Sequence, residues 1–140
     1  MNKIKILVID DDSSVRELTV DILDALGYES IQADDGTTGL EAYKQNTDIS
    51  IVLSDMNMKE MDGDKLTDAI RAYEVQTQSG RRAEIAIITG LPAESQPRLQ
   101  RLLQEDTIYA TLIKPYLMAD IEKVVEEGVA RLKNAYQETI

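Results

Sequence analysis

The stretch Ile4-Lys5-Ile6-Leu7-Val8-Ile9, which breaks at once into Asp10-Asp11-Asp12-Ser13, decides the architecture. Apolar side chains at consecutive rather than alternate positions describe a strand buried on both faces, the habit of parallel sheets. From Ser13 the period changes. Val15, Leu18, Ile22, Leu23 and Leu26 follow a helical stripe, with Asp12 or Ser13 as N-cap and Gly27 as the stop. The unit then repeats. Glu29 to Ala33 reads as a short strand, Asp35-Gly36 as a turn, and Thr37 to Gln45 as a helix turning Leu40 and Tyr43 inward. Ile49 to Ser54 is a second strongly apolar strand ending at Asp55. It precedes a loop over Met56 to Asp62 and a helix carrying Leu66, Ile70 and Tyr73, with Gln76 to Arg82 as polar connection. Ile85 to Ile88 is a third apolar strand, ending at Thr89-Gly90, and the stretch after Pro92 predicts a helix with Leu99, Leu102 and Leu103 and with Pro97 in its first turn. Ile108 to Ile113 makes the last strand before Lys114-Pro115. From about Met118, residues Ile121, Val124, Val125, Gly128, Val129, Leu132 and Tyr136 share one helical face, and Gln137 to Ile140 read as a frayed end.

Parallel strands need crossovers, and right-handed crossovers dominate, so five strands alternating with five helices predict a doubly wound α/β protein: a five-stranded parallel sheet between two helical layers. With 140 residues and 43% hydrophobic content the chain suits a single domain, 1–140, whose core spans about 3–136. The formal charge of −11 disfavours binding to a phosphate backbone. No apolar run approaches the roughly 18–20 residues that span a bilayer, and the start offers no signal-peptide pattern, so the expectation is a cytoplasmic protein without direct nucleic-acid contact or membrane insertion. The absence of Cys and His removes disulfides, thiolate chemistry, imidazole bases and zinc triads. Carboxylates, hydroxyls and amines remain.

In such a sheet the ligand crevice lies beyond the carboxyl ends of the strands. Those ends are Asp10-Asp11-Asp12, Asp55, Thr89 and Lys114. Carboxylates crowded on one rim must bind a cation, take up protons or splay apart. All-oxygen donors suit a hard divalent ion, with Mg²⁺ favoured because it keeps waters and phosphate oxygens among its ligands. A hydroxyl and an ammonium beside it are donors for a phosphoryl group. Taken alone, Asp10 to Asp12 fit helix capping as well as metal binding.

These residues, in this order and each just after an apolar strand, resemble the receiver domain of bacterial two-component response regulators, such as the chemotaxis regulator. The resemblance covers nearly the whole chain and implies a flavodoxin-like strand order of 2-1-3-4-5. It assigns Asp10 and Asp11 to the acidic pair that holds Mg²⁺ and Asp55 to the phosphoacceptor. Asn57 takes the position whose backbone carbonyl ligates the metal. Thr89 becomes the switch hydroxyl, Lys114-Pro115 the pair joined by a cis bond, and Gly63 the glycine of the loop after the phosphoacceptor. What it implies is a signalling receiver rather than a classical enzyme: a sensor histidine kinase or histidine phosphotransfer protein donates phosphoryl to Asp55, and the face formed by the fourth helix, fifth strand and fifth helix changes its affinity for an output protein. That same face could pair two copies.

The chain departs from the family pattern at Thr111, where an aromatic switch residue is usual three places before the lysine, and at Lys59, where proline is common. Two other readings follow from the residues. One is a degenerate receiver that works as an unphosphorylated interaction or dimerisation domain. The other is a small phosphatase resembling the haloacid dehalogenase type, with Asp10 as nucleophile, which leaves Asp55 idle and offers no acidic motif after Lys114.

Overall fold

The computed structural model describes residues 4–139, with side chains through 135. Strands β1 (Lys5–Ile9), β2 (Glu29–Ala33), β3 (Ile49–Asp55), β4 (Glu84–Thr89) and β5 (Ala110–Ile113) alternate with helices α1 (Ser13–Ala25), α2 (Gly36–Gln45), α3 (Gly63–Thr77), α4 (Pro97–Gln104) and α5 (Met118–Thr139). All strand pairs are parallel and the order is β2-β1-β3-β4-β5, as the resemblance implies. A 3₁₀ turn, Ala93–Ser95, leads into α4.

Both faces of the sheet are covered because alternate side chains of each central strand enter different cores. Leu7 and Ile9 of β1 join Val52, Ile85 and Ile87 beneath Tyr43, Leu66, Ile70, Leu99 and Leu102, from α2, α3 and α4. Ile6 and Val8 join Ile51, Leu53, Ala86 and Ile88 beneath Leu23, Ile121, Val124 and Val125, from α1 and α5. Burying each such large apolar side chain contributes about 1.5–3 kcal/mol.

Some positions differ from the sequence reading. Leu18 is 54% exposed, because α1 turns Thr19 and Leu23 to the core instead. Leu103 lies on the outer side of α4, whose narrow inner face takes only Leu99 and Leu102. Helix α3 continues to Thr77 and stops at Gln78, which adopts the left-handed φ of 53° that glycine more often supplies. The β5 ladder begins at Ala110 rather than Ile108, although Tyr109 N still donates to Ile85 O at 2.9 Å. Gly27 does end α1, with φ of 90° just past the C-cap. The α5 backbone stays helical through Thr139, beyond the start of the segment expected to fray, while the Tyr136 side chain and Ile140 lie outside the described residues.

The amino ends of the strands are tied by buried charge. Glu74 accepts from Tyr43 Oη at 2.5 Å, Arg71 Nη1 at 2.8 Å and Ala83 N at 2.8 Å. Arg71 also donates to Thr107 O and Ala83 O. Arg81 lies over the Tyr43 ring, 3.7 Å from its centroid, and donates to the carbonyls of Tyr43, Asn46 and Ile49. These contacts join α2, α3 and the entries of β3, β4 and β5.

Candidate phosphoryl and cation site

The opposite pole carries the acidic rim. Asp10, one residue past β1, is 2% exposed, and its backbone N–H still donates to Ala33 O at 3.2 Å. Its carboxylate is oriented by the Asp12 N–H, 2.9 Å from Oδ1, and its carbonyl by Arg16 Nη1 at 2.7 Å. Asp12 turns away from the rim and caps α1, accepting from Ser14 N and Val15 N at 3.0 and 3.2 Å. That settles which of the neighbouring acids is a cap.

Asp55 is the last residue of β3 and 6% exposed. The chain leaves it under tight control: Met56 N donates to Ile88 O at 2.8 Å, and Gly63 N donates to Met56 O at 2.7 Å, closing the loop back against the strand. A Cβ on Gly63 would stand 2.5 Å from Asp55 O and 3.0 Å from Met56 Cα, both backbone atoms. Nothing flexible can yield there. Gly63→Ala should therefore lower stability by about 1–3 kcal/mol, measured by urea denaturation, and displace the end of β3.

One carboxylate oxygen from each of Asp10, Asp11 and Asp55 lies within 4.8 Å of the others. Lys114, just past β5, reaches over them with Nζ 3.4 Å from Asp10 Oδ2 and 3.3 Å from Asp55 Oδ1. Its own N–H donates to Thr89 O at 2.8 Å, and the peptide to Pro115 is cis. Burial, then the charge of Asp10, pushes the Asp55 carboxyl up to about 6 against the partial relief that Lys114 gives. For Lys114, burial works to lower the pKa, but Asp55 and Asp10 outweigh it and the net shift is upward. One ammonium thus faces three carboxylates. The donor set is all oxygen and its charge is undercompensated, which fits a hard divalent cation.

Thr89 ends β4 at 1% exposure and accepts from Leu91 N at 3.3 Å and Gln96 Nε2 at 2.9 Å. Asn57 lies two residues past Asp55 in the loop that follows β3 and is exposed. Thr111 is half-buried in β5 opposite Ile87. Tyr109 does not stand in for an aromatic there, since its hydroxyl donates to Val124 O at 2.7 Å and its ring tip covers Gly128 at the other end of β5. Three groups at the rim escaped the sequence reading: Arg16, Gln96, and the hydroxyl pair of Thr19 and Tyr116, 2.6 Å apart, which fastens α1 to the chain after Lys114-Pro115. Only Tyr116 carried a hint, its place beside that dipeptide. Among the described residues no helix is long and apolar enough to cross a membrane.

Comparison with known proteins agrees with this fold. The profile of the response regulator receiver domain matches residues 6–126. The CAI-1 autoinducer sensor kinase/phosphatase CqsS of Vibrio cholerae is 32% identical over 111 residues, covering 79% of this chain but 15% of that protein. Chemotaxis protein CheY1 of Helicobacter pylori is 35% identical over 98 residues, 64% of this chain and 77% of that one. A crystal structure of a response regulator receiver domain protein from Clostridium thermocellum superposes with a TM-score of 0.80 at 25% identity, covering 94% of this chain and 98% of its own. The chain therefore spans only a small part of the sensor kinase it matches and most of the chemotaxis protein. By profile, by relatives and by the order of its strands, this chain belongs to the response regulator receiver domain family.

Proposed function

We propose that this chain is a phosphoryl-accepting switch in which Asp55 takes a phosphoryl group from a phosphohistidine on a sensor kinase or phosphotransfer protein in the cytoplasm. The observation that carries the reading is the convergence of Asp10, Asp11 and Lys114 on one buried carboxylate, Asp55. An oxygen of Asp55 attacks phosphorus in line. The P–N bond to the donor imidazole breaks as the P–O bond of the aspartyl phosphate forms, and the imidazole takes a proton from water. The donor imidazole lies outside residues 1–140, which contain no histidine.

Asp10, Asp11, Asp55 and the Asn57 carbonyl would hold Mg²⁺, which when bound supplies positive charge for the phosphoryl oxygens. The Lys114 ammonium adds a second positive charge and shields Asp55 from Asp10 during the attack. Thr89 donates its hydroxyl proton to a phosphoryl oxygen, and its movement passes to the face of α4, β5 and α5. In this reading residues 1–140 act as one receiver domain, and its output is a change of affinity for a partner protein.

Incubation with acetyl phosphate and Mg²⁺, followed by intact-mass measurement, should show one added phosphoryl group that hydroxylamine removes and EDTA prevents. No adduct in any buffer would leave the interaction-domain reading in its place. Steady turnover of the donor without an adduct, lost in Asp10→Ala, would favour the phosphatase.

A further inference from the structure

The connection from β4 to α4 contains a polar link that sequence pattern does not announce. Pro97 is the first residue of α4, and a proline forces the residue before it out of the helical region. Gln96 accordingly sits extended, with φ −127° and ψ 97°, at the N-cap position. Its side chain makes no cap hydrogen bond and instead reaches back along the loop. The Nε2 amide donates to Thr89 Oγ1 at 2.9 Å and to Leu91 O at 2.8 Å. Its backbone carbonyl accepts from Leu99 N and Gln100 N, both at 3.0 Å, so one residue holds β4 with its side chain and α4 with its main chain.

A threonine hydroxyl has two lone pairs and one proton. Leu91 N and Gln96 Nε2 occupy the lone pairs of Thr89. The proton is the remaining capacity, and an anionic oxygen at Asp55 would accept it. If the hydroxyl moves toward that oxygen, the amide bond to Gln96 must travel with it or break. At its other side α4 is anchored by Arg98, whose guanidinium bonds Asp64, with Nε 2.8 Å from Oδ2, and Asp62, with Nη2 3.0 Å from Oδ2. The first turn of α4 is thus held between the switch hydroxyl and the loop that follows the phosphoacceptor.

We infer that Gln96 is the positioning residue for Thr89 and the mechanical link by which a shift of that hydroxyl moves α4, a task for which residue 111 supplies no aromatic ring. The inference rests on the receiver reading. It places the coupling in a side-chain amide on the chain between β4 and α4, seven residues from the hydroxyl it holds.

The test is a titration of the full chain with beryllofluoride and Mg²⁺, followed by NMR through the Thr89 methyl group and the amides of Arg98 to Gln100. In the native chain the two sets of signals should move together. In Gln96→Met, which keeps the length of the side chain but has no donor, the Thr89 methyl should still respond at similar ligand concentration, while the α4 amide shifts fall at least about threefold. Both responses weakening alike would mark a general loss of packing and overturn the inference. Equal α4 shifts in the two proteins would overturn the inference. If the variant does not fold, the native chain decides: its Gln96 side-chain amide protons should shift along with Thr89, and their staying unchanged on saturation overturns the inference. A native chain in which Thr89 itself never responds would defeat the receiver reading, and the link with it.

Discussion

Asp55→Asn should melt at a higher temperature than the native chain at neutral pH without divalent cations, while losing phosphoryl acceptance altogether. The two effects have one cause. Asp55 has a folded pKa of about 6 against the ordinary 3.8, so holding it ionised costs the native state on the order of 2–3 kcal/mol. The sign follows from proton counts. Between those two values the folded chain keeps a proton that the unfolded chain has released, so native stability declines as pH rises through the window, and the penalty is complete above about 6. Asparagine has the same shape and no charge to desolvate, so its thermal midpoint should stay flat across that window and exceed the native one by roughly 5–10 °C at neutral pH. Mg²⁺ should raise the native midpoint much more than that of the variant. A variant that melts lower than the native chain at neutral pH would contradict the account, as would phosphoryl incorporation by the variant.

Glu74→Ala should cost about 3–5 kcal/mol, the largest loss expected from any single substitution described, read as a lowered urea midpoint. The carboxylate accepts from Tyr43, Arg71 and the Ala83 backbone at once, and it is 8% exposed. Truncation leaves the half-buried Arg71 guanidinium without its counter-charge, and the Tyr43 hydroxyl and Ala83 N–H without an acceptor. Burial, followed by the Glu74 hydrogen bond, holds the Tyr43 phenol far above its usual pKa, so ionisation of the tyrosine offers no relief. Glu74→Gln keeps an acceptor oxygen and should lose roughly half as much. Since typical domains have about 5–15 kcal/mol in hand, the alanine protein should be partly unfolded at modest temperature. Phosphoryl acceptance at Asp55 should persist in the glutamine protein, because the network lies at the other pole of the sheet.

Much of this was legible in the chain before its structure, for identifiable reasons. Strands β1, β3 and β4 are consecutive apolar runs that end in a polar residue at the rim, so the same break that bounds the element also names the site residue: Asp10, Asp55 and Thr89. Periodicity does less for helices. Leu18 and Thr19 are both compatible with the stripe through Val15 and Ile22, and the choice falls to Thr19 because its hydroxyl meets Tyr116, a residue 97 positions away. Leu103 follows Leu102 directly, about 100° further round the helix, and the narrow inner face of α4 takes Leu102 and leaves Leu103 outside. The stretch read as polar connection contains Arg81, whose guanidinium is spent on carbonyls more than thirty positions earlier. Gln96 has no motif at all. Its role exists only once Pro97 has set its backbone and Thr89 has been folded to within reach.

The arginine contacts at the amino ends of the strands give the molecule a stiff base. There Arg71 and Arg81 staple carbonyls from segments remote in sequence, while the opposite pole holds like charges together with a single ammonium. If Asp55 takes a phosphoryl group as proposed, the loops at that rim can rearrange while the arginine ties keep the entries of the strands in place.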